Sequence, residues 1–302
     1  MSKSHKFGFS LIELSVVIIV IGILVIGITQ GSRIISGAKI KSANSLTSGS
    51  PVTSISNLSL WIEVTDQQNL KSSAVASIST TDYGNISDGS LISAWNDRNQ
   101  QSTSKITLSA PGDSKRPVYL QNGINNLPSI SFTRASSQRL SSSIVPITEG
   151  STNYTMIAVF RPTTSLAATN YVFAQSPVTS TASRQGSIFL NTTSIGFSGV
   201  NNDYMASSLA LNTNYIVVIR VNNSLANNVT VYTNGTPSTG ASVTPASLNI
   251  GAEVITVGAR TGASGHFDGL ISEIIVYNRA LNNTEISSIN SYLSTKYAIK
   301  LN

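Results

Sequence analysis

The chain has 302 residues, a net charge of +6, 40% apolar residues and only 11% charged ones, with 51 serines standing where charges are missing; ordinary soluble domains are about 25% charged. This composition excludes charge-driven disorder, and the absence of cysteine excludes disulfide frameworks, thiolate zinc sites, iron–sulfur clusters and cysteine nucleophiles. Residues 1–41 hold five of the 19 Lys and Arg and one of the 13 acids, which leaves 14 scattered bases against 12 acids in 42–302, a poor match for the clustered cations of a phosphate-binding face.

The first eight residues are short, polar and basic. From Leu14 to Ile28 every residue is apolar or glycine except Ser15. Counted from Phe9, the block is 20 residues long, about 30 Å of helix and enough for one membrane span. A secretory signal peptide, with an apolar region of about 7–15 residues after a basic start, is the competing reading. Against it, no small-x-small cleavage site follows at once, and Glu13 stands near the start of the block, where a lone carboxylate costs a few kcal/mol in lipid.

The run Lys6-Phe-Gly8-Phe9-Ser-Leu-Ile-Glu13-Leu closely resembles the processing site of type IV prepilins and pseudopilins. The resemblance implies that a prepilin peptidase cuts between Gly8 and Phe9, that Phe9 becomes the methylated terminus, and that Glu13 serves filament assembly. It also implies a cytoplasmic N-terminus, a single-pass precursor in the bacterial inner membrane, and a mature surface pilus made with other pilin subunits by inner-membrane assembly machinery. The physics agrees: the amine freed at Phe9 and the Glu13 carboxylate are each costly alone in an apolar bundle, and pairing between neighbouring subunits removes both penalties. The chain departs from the usual pilin pattern in having no proline inside the helix. The helix is expected to continue through Arg33–Ile40 as far as residue 43, and to fade in a Ser-, Thr-, Gly- and Pro-bearing linker over 44–56.

Beyond the linker the period changes. Runs at 58–64, 129–132, 154–160, 171–173, 187–190, 195–197, 215–221, 229–232, 254–257 and 270–277 are short, β-branched or aromatic, and separated by Asn, Gly, Ser and Pro clusters, which predicts a β-sandwich. The runs 215–221 and 270–277 are nearly continuous in apolar residues and belong at its centre. Asn282-Asn-Thr-Glu285 starts a capped helix with Ile286, Ile289, Leu293 and Tyr297 on one face. That helix should lie against the sandwich.

The segments Leu60–Glu63, Leu91–Asp97, Arg116–Tyr119, Asn122–Phe132 and Asp268–Leu281, with the terminal helix, resemble bacterial concanavalin A-like, laminin-G-like jelly-roll domains. The fold expected is therefore mainly β: a leader (1–8), a pilin-like hydrophobic helix (9–43), the linker, and a concanavalin A-like jelly roll with a short C-terminal helix (57–302). Members of that group bind glycans or proteins, and some are glycoside hydrolases.

Glycoside hydrolysis needs two carboxylates within about 5–10 Å. The Glu-x-Asp-x-x-Glu pattern is absent, and Glu63 and Asp66 read as isolated acids after a strand, so no catalytic residue is expected. Two histidines, His5 and His266, cannot build a His-rich metal site; the Gly262–Gly269 stretch reads as a turn with Asp268 bonding backbone amides. No cofactor is expected. Calcium stays open, because Asp97, Asp203 and Asp268 sit among the oxygens it prefers. Trp61 and Trp95 read as core aromatics, with sugar-stacking platforms as the alternative; Asn201–Tyr204 is a polar patch suited to binding. The combined expectation is a pilin-like subunit displaying its head for adhesion, to surface glycans or to receptors on a host or neighbouring cell. A pseudopilin of a type II secretion or DNA-uptake machine, and a membrane-anchored glycan-binding protein, are the alternatives.

Overall fold

The computed structural model describes residues 11–77, 83–164, 169–177, 181–240, 248–251, 254–262 and 264–302, without the side chains of 28–30, 32 and 33. Helix α1 runs over Leu11–Ser48. No proline interrupts it, and an added Cβ at Gly22, Gly27, Gly31 or Gly37 would meet nothing. Where the composition suggests a linker over 44–56, the helix instead continues to Ser48, and a 3-10 turn follows at Pro51–Ser54. The reason is tertiary. Ala43, Val52 and Ile55 are buried in a core, and that burial outweighs the turn-forming tendency of the Ser, Gly and Pro around them. The chain divides into two compact units, 1–42 and 43–302, so the last turn of α1 belongs to the second unit, the head.

The head's strands in chain order are β1 (Leu58–Glu63), β2 (Leu70–Lys71), β3 (Ala94–Asn96), β4 (Thr107–Ser109), β5 (Val118–Leu120), β6 (Ser129–Phe132), β7 (Leu140–Ser142), β8 (Asn153–Pro162) and β9 (Asn170–Ser176). They continue with β10 (Gly186–Leu190), β11 (Ser194–Phe197), β12 (Tyr204–Ser208), β13 (Tyr215–Asn222), β14 (Val229–Thr233), β15 (Thr236–Gly240), β16 (Val254–Val257) and β17 (Gly269–Tyr277). One antiparallel sheet has the order β15-β14-β13-β8-β17-β6-β5, with β1 also paired to β17; the other is β12-β11-β10-β9-β16-β7-β4-β3-β2. All ten expected strands are present. The seven unexpected ones, β2, β3, β4, β5, β7, β12 and β15, have only two to five residues, too few to announce a period of their own, so neighbours rather than their own pattern hold them in the sheets.

Between the sheets lies a core that includes Leu60, Ile62, Trp95, Phe132, Met156, Phe160, Phe173, Phe197 and Val217. A second core covers the opposite face of the first sheet: Trp61, Ile157, Val159, Ile216, Val218, Ile275 and Tyr277 pack beneath helix α2 (Asn283–Tyr297). Strands β8, β13 and β17 are thus buried on both faces, which explains why 215–221 and 270–277 are almost continuously apolar. Helix α2 starts with the expected capping box: Asn282 Oδ1 accepts from Glu285 N at 2.9 Å, and Glu285 Oε2 accepts from Asn282 N at 2.9 Å. Arg279 adds a two-pronged contact to the same carboxylate, at 2.9 and 2.5 Å. Ile286, Ile289, Leu293 and Tyr297 are all buried.

Candidate functional site

Of the residues the sequence marks for processing and assembly, Gly8 and Phe9 lie outside the described residues. Glu13 lies in the first described turn of α1 and is exposed. The large apolar side chains around and beyond it point outward on every side, from Leu11 at 85% exposure to Ile26 at 62%. Ser15 turns its hydroxyl back onto the Ile12 carbonyl at 2.8 Å. A helix apolar all round is built to be surrounded by lipid or by other helices. Among the described residues no helix is long and apolar enough to cross a membrane.

In the head, Glu63 and Glu273 face each other in the β1–β17 register. The expectation that Glu63 is isolated fails. Lys296 from α2 places its Nζ 3.1 Å from Glu63 Oε2 and 2.8 Å from Glu273 Oε2. Arg98 Nη1 reaches Glu63 Oε1 at 2.5 Å, and its guanidinium covers the Trp61 ring at 4.6 Å. Glu273 also accepts from Trp61 Nε1, Tyr292 OH and Tyr297 OH at 2.8–2.9 Å. Thr65 donates to Glu63 through both its backbone N–H and its hydroxyl. Two carboxylates and two cations therefore form a neutral, hydrogen-bonded quartet in which Glu63, Glu273 and Lys296 are at most 5% exposed. These residues are 23 to 233 positions apart in the chain, and no local pattern announces them.

Burial by itself raises the Glu63 carboxyl, but the charges of Lys296 and Arg98 and the Thr65 hydrogen bond outweigh it and hold the group at about 2 against an ordinary 4.5. The folded value lies below the unfolded one, so this stabilisation is present above the unfolded value and is lost as pH falls towards the folded one. At about 1.4 kcal/mol per unit the loss is on the order of 3 kcal/mol. Asp97 works in the opposite sense, because burial outweighs its backbone hydrogen bonds and raises its carboxyl. The expected net result is a urea midpoint that drops as the solution is acidified below the ordinary carboxylate range. An unchanged midpoint would contradict the quartet's contribution.

The three aspartates weighed for calcium each serve a different loop. Asp97 Oδ1 accepts from Trp61 N and Asn99 N at 2.9 and 2.8 Å, and Asp203 from Gly199 N at 2.9 Å. Asp268 accepts from Arg134 N at 2.7 Å and meets Arg134 Nη2 at 3.5 Å. Among the described residues no three His, Cys, Asp or Glu gather as metal ligands. Trp61 and Trp95 are core residues, 2% and 0% exposed. In the Asn201–Tyr204 patch, Asn201 is left-handed and Asn202 is buried, so part of it is a turn.

A groove of about 530 Å³ opens between α2 and the β13–β14–β15 edge, lined by Arg220, Thr230, Tyr232, Asn283, Ile286 and Asn290 among others. Arg220 Nη1 donates to Asn283 Oδ1 at 2.8 Å, which also accepts from Tyr232 OH at 3.2 Å. Asn290 Oδ1 and Arg220 Nε are buried there without a hydrogen-bond partner. The sequence held no signal for this groove, because its walls come from three strands and a helix.

The family described as the concanavalin A-like lectin/glucanases superfamily matches residues 134–287. The chain belongs to this superfamily. The concanavalin A-like head accounts for the two-sheet sandwich and its short C-terminal helix, as expected. A second match, to the prokaryotic N-terminal methylation motif, covers residues 3–29, so the fusion read from the sequence stands. No curated protein matches the chain. Solved structures with a similar fold include an arabinofuranosidase complexed with arabinofuranosyl-α-1,2-xylobiose, 13% identical at a TM-score of 0.55, the match covering 68% of this chain and 51% of that one. A Trypanosoma rangeli sialidase in complex with sialic acid is 15% identical (TM-score 0.45; 80% and 33% covered). Domain 4 of an extracellular arabinanase from Geobacillus stearothermophilus, in complex with arabinotriose, is 14% identical (TM-score 0.42; 78% and 98% covered). This concanavalin A-like chain spans about half of the arabinofuranosidase and a third of the sialidase, and at such identities the likeness is one of fold.

Proposed function

We propose that the chain is a type IV pilin-like filament subunit that displays a concanavalin A-like head for adhesion. Prepilin peptidase cuts between Gly8 and Phe9, the helix is stored in the inner membrane, and Glu13 meets the freed Phe9 amine of a neighbouring subunit during assembly. The observation that carries this reading is the methylation motif over residues 3–29, set on a helix whose apolar side chains face outward on every side. Such a surface needs lipid before assembly and other helices after it. The head acts by binding rather than by catalysis: Glu63 and Glu273, which face each other across two strands, are sealed from solvent and held by Lys296 and Arg98, so neither can reach a glycosidic bond. Mass spectrometry of the protein recovered from the cell envelope should find a methylated terminus at Phe9. In a Gly8→Val chain the leader should remain attached, because the added side chain obstructs the close, extended approach a protease needs. A mature chain retaining Met1, or one beginning beyond the apolar block, would sink the reading.

A further inference from the structure

We propose that Lys296 becomes joined to Glu273 by a side-chain amide bond, a covalent tie between α2 and β17 that the protein forms by itself, with Glu63 moving the proton. The bond is independent of filament assembly and of the pilin reading. The side chains of Lys296, Glu63 and Glu273 are 0% exposed. Ions held in such a site are costly, and condensation replaces one ion pair by a neutral amide and a water that can leave. A nucleophile fixed beside its carbonyl also gains an effective molarity of about 10⁵–10⁸ M. With no cysteine in the chain, a disulfide cannot supply such a tie.

Each oxygen of Glu273 is placed for a different part of the reaction. Oε2 lies 2.8 Å from Lys296 Nζ and accepts from Tyr297 OH at 2.9 Å. Oε1 accepts from Trp61 Nε1 at 2.8 Å and from Tyr292 OH at 2.9 Å, two donors aimed where negative charge grows when nitrogen attacks the carboxyl carbon. Glu63 Oε2, 3.1 Å from the same Nζ, is the proton acceptor, while Arg98 and Thr65 keep Glu63 itself a carboxylate rather than the group attacked. One ammonium proton passes to Glu273 Oε2, and the amine attacks the Glu273 carboxyl carbon. As the N–C bond forms, a second proton passes from nitrogen to Glu63 Oε2. Glu63 hands that proton to Glu273 Oε2, the C–Oε2 bond breaks, and water leaves. The amide nitrogen keeps its third hydrogen, Glu63 ends ionised beside Arg98, and the group is neutral before and after. Burial pushes the Glu63 carboxyl up, and the largest influence holding it down is the charge of Lys296. Once the ammonium has given up its first proton, Glu63 is therefore able to take the second.

Intact-mass and tryptic-peptide spectrometry of the full chain, purified in detergent, tests this. Counted from its observed terminus, the protein should be lighter than its sequence by about 18 Da, one water. Trypsin should fail to cut after Lys296, the peptide that ends at Arg279 should travel joined to the one that begins at Ala280, and fragmentation should place the bond between Glu273 and Lys296. Glu63→Gln, which removes the proton acceptor and keeps the size, should return to full mass and be cut after Lys296; Lys296→Met should also return to full mass. A wild-type protein at full mass, a bond mapped to Glu63, or a water loss that survives in Lys296→Met or in folded Glu63→Gln protein would overturn the proposal. The wild-type mass is decisive even if a variant folds poorly. A leader left uncut at Gly8 changes only the N-terminal peptide, so failed processing cannot mimic a failed bond.

Discussion

Replacing Lys296 by methionine should cost the head about 3–5 kcal/mol, the range found when one partner of a buried charge group is removed. Methionine keeps most of the volume, so the loss is electrostatic rather than a cavity effect. Without the ammonium, Arg98 balances one carboxylate, and the other stays charged in a site where Glu63 and Glu273 are 0% and 1% exposed. For a unit of this size the melting temperature should fall on the order of 10 °C. The check is internal. Adding Glu273→Gln to Lys296→Met removes the surplus charge and keeps an oxygen for Trp61 Nε1 and the Tyr292 hydroxyl, while the amide nitrogen can donate to the Tyr297 hydroxyl oxygen. The double variant should recover at least half of the loss, and a single variant that lost less than about 1 kcal/mol would show that the group is not sealed. The effect should also reach the start of the head. Tyr292, which donates to Glu273, stands 3.3 Å from Thr47 Oγ1 in the last turn of α1, and Tyr277 OH donates to the Val52 carbonyl at 2.8 Å. Hydrogen exchange over 43–55 should therefore rise in Lys296→Met alongside exchange in α2.

Glu13→Ala should leave processing and membrane storage intact and reduce entry into filaments at least tenfold, measured as the ratio of sheared to cell-bound subunit. The substitution removes the one acid from an otherwise apolar stretch, so the precursor loses nothing in lipid and gains a few kcal/mol there. What it loses is the partner for a neighbour's terminal amine in the assembled state, and at 1.4 kcal/mol per factor of ten a loss of a few kcal/mol gives the stated reduction. Glu13→Asp, which keeps the charge and shortens the reach, should fall between the two. Normal filament entry by the alanine chain would remove Glu13 from assembly. If deletion of the whole chain blocked secretion or DNA uptake and left adhesion unchanged, the pseudopilin assignment would replace the pilus one.

The parts that local chemistry dictates were legible in the chain. Gly8, Phe9 and Glu13 stand in a short contiguous pattern, the apolar block is continuous, and the Asn282/Glu285 box specifies a helix start through two neighbouring hydrogen bonds. Strands such as Tyr215–Asn222 and Gly269–Tyr277 announce themselves because both of their faces are buried. The Ser-rich stretch at 44–56 misled, because its turn-forming residues carry Ala43, Val52 and Ile55 into a core that composition cannot see. Leu140–Ser142 and Thr236–Gly240 were silent for the related reason that their sheet neighbours, not their own side chains, hold them extended.

Residue order alone thus determined the methylation motif, the greasy helix, the β character of the head and its capped last helix, since each depends on groups a few positions apart. Only the tertiary structure decided that Glu63, Arg98, Glu273 and Lys296 neutralise one another, that Asp97, Asp203 and Asp268 serve different loops, and that Arg220 and Asn290 share a groove. Charge pairing and concave surfaces depend on distances of a few ångströms between segments far apart in the chain, and those distances exist only once the sheets have paired.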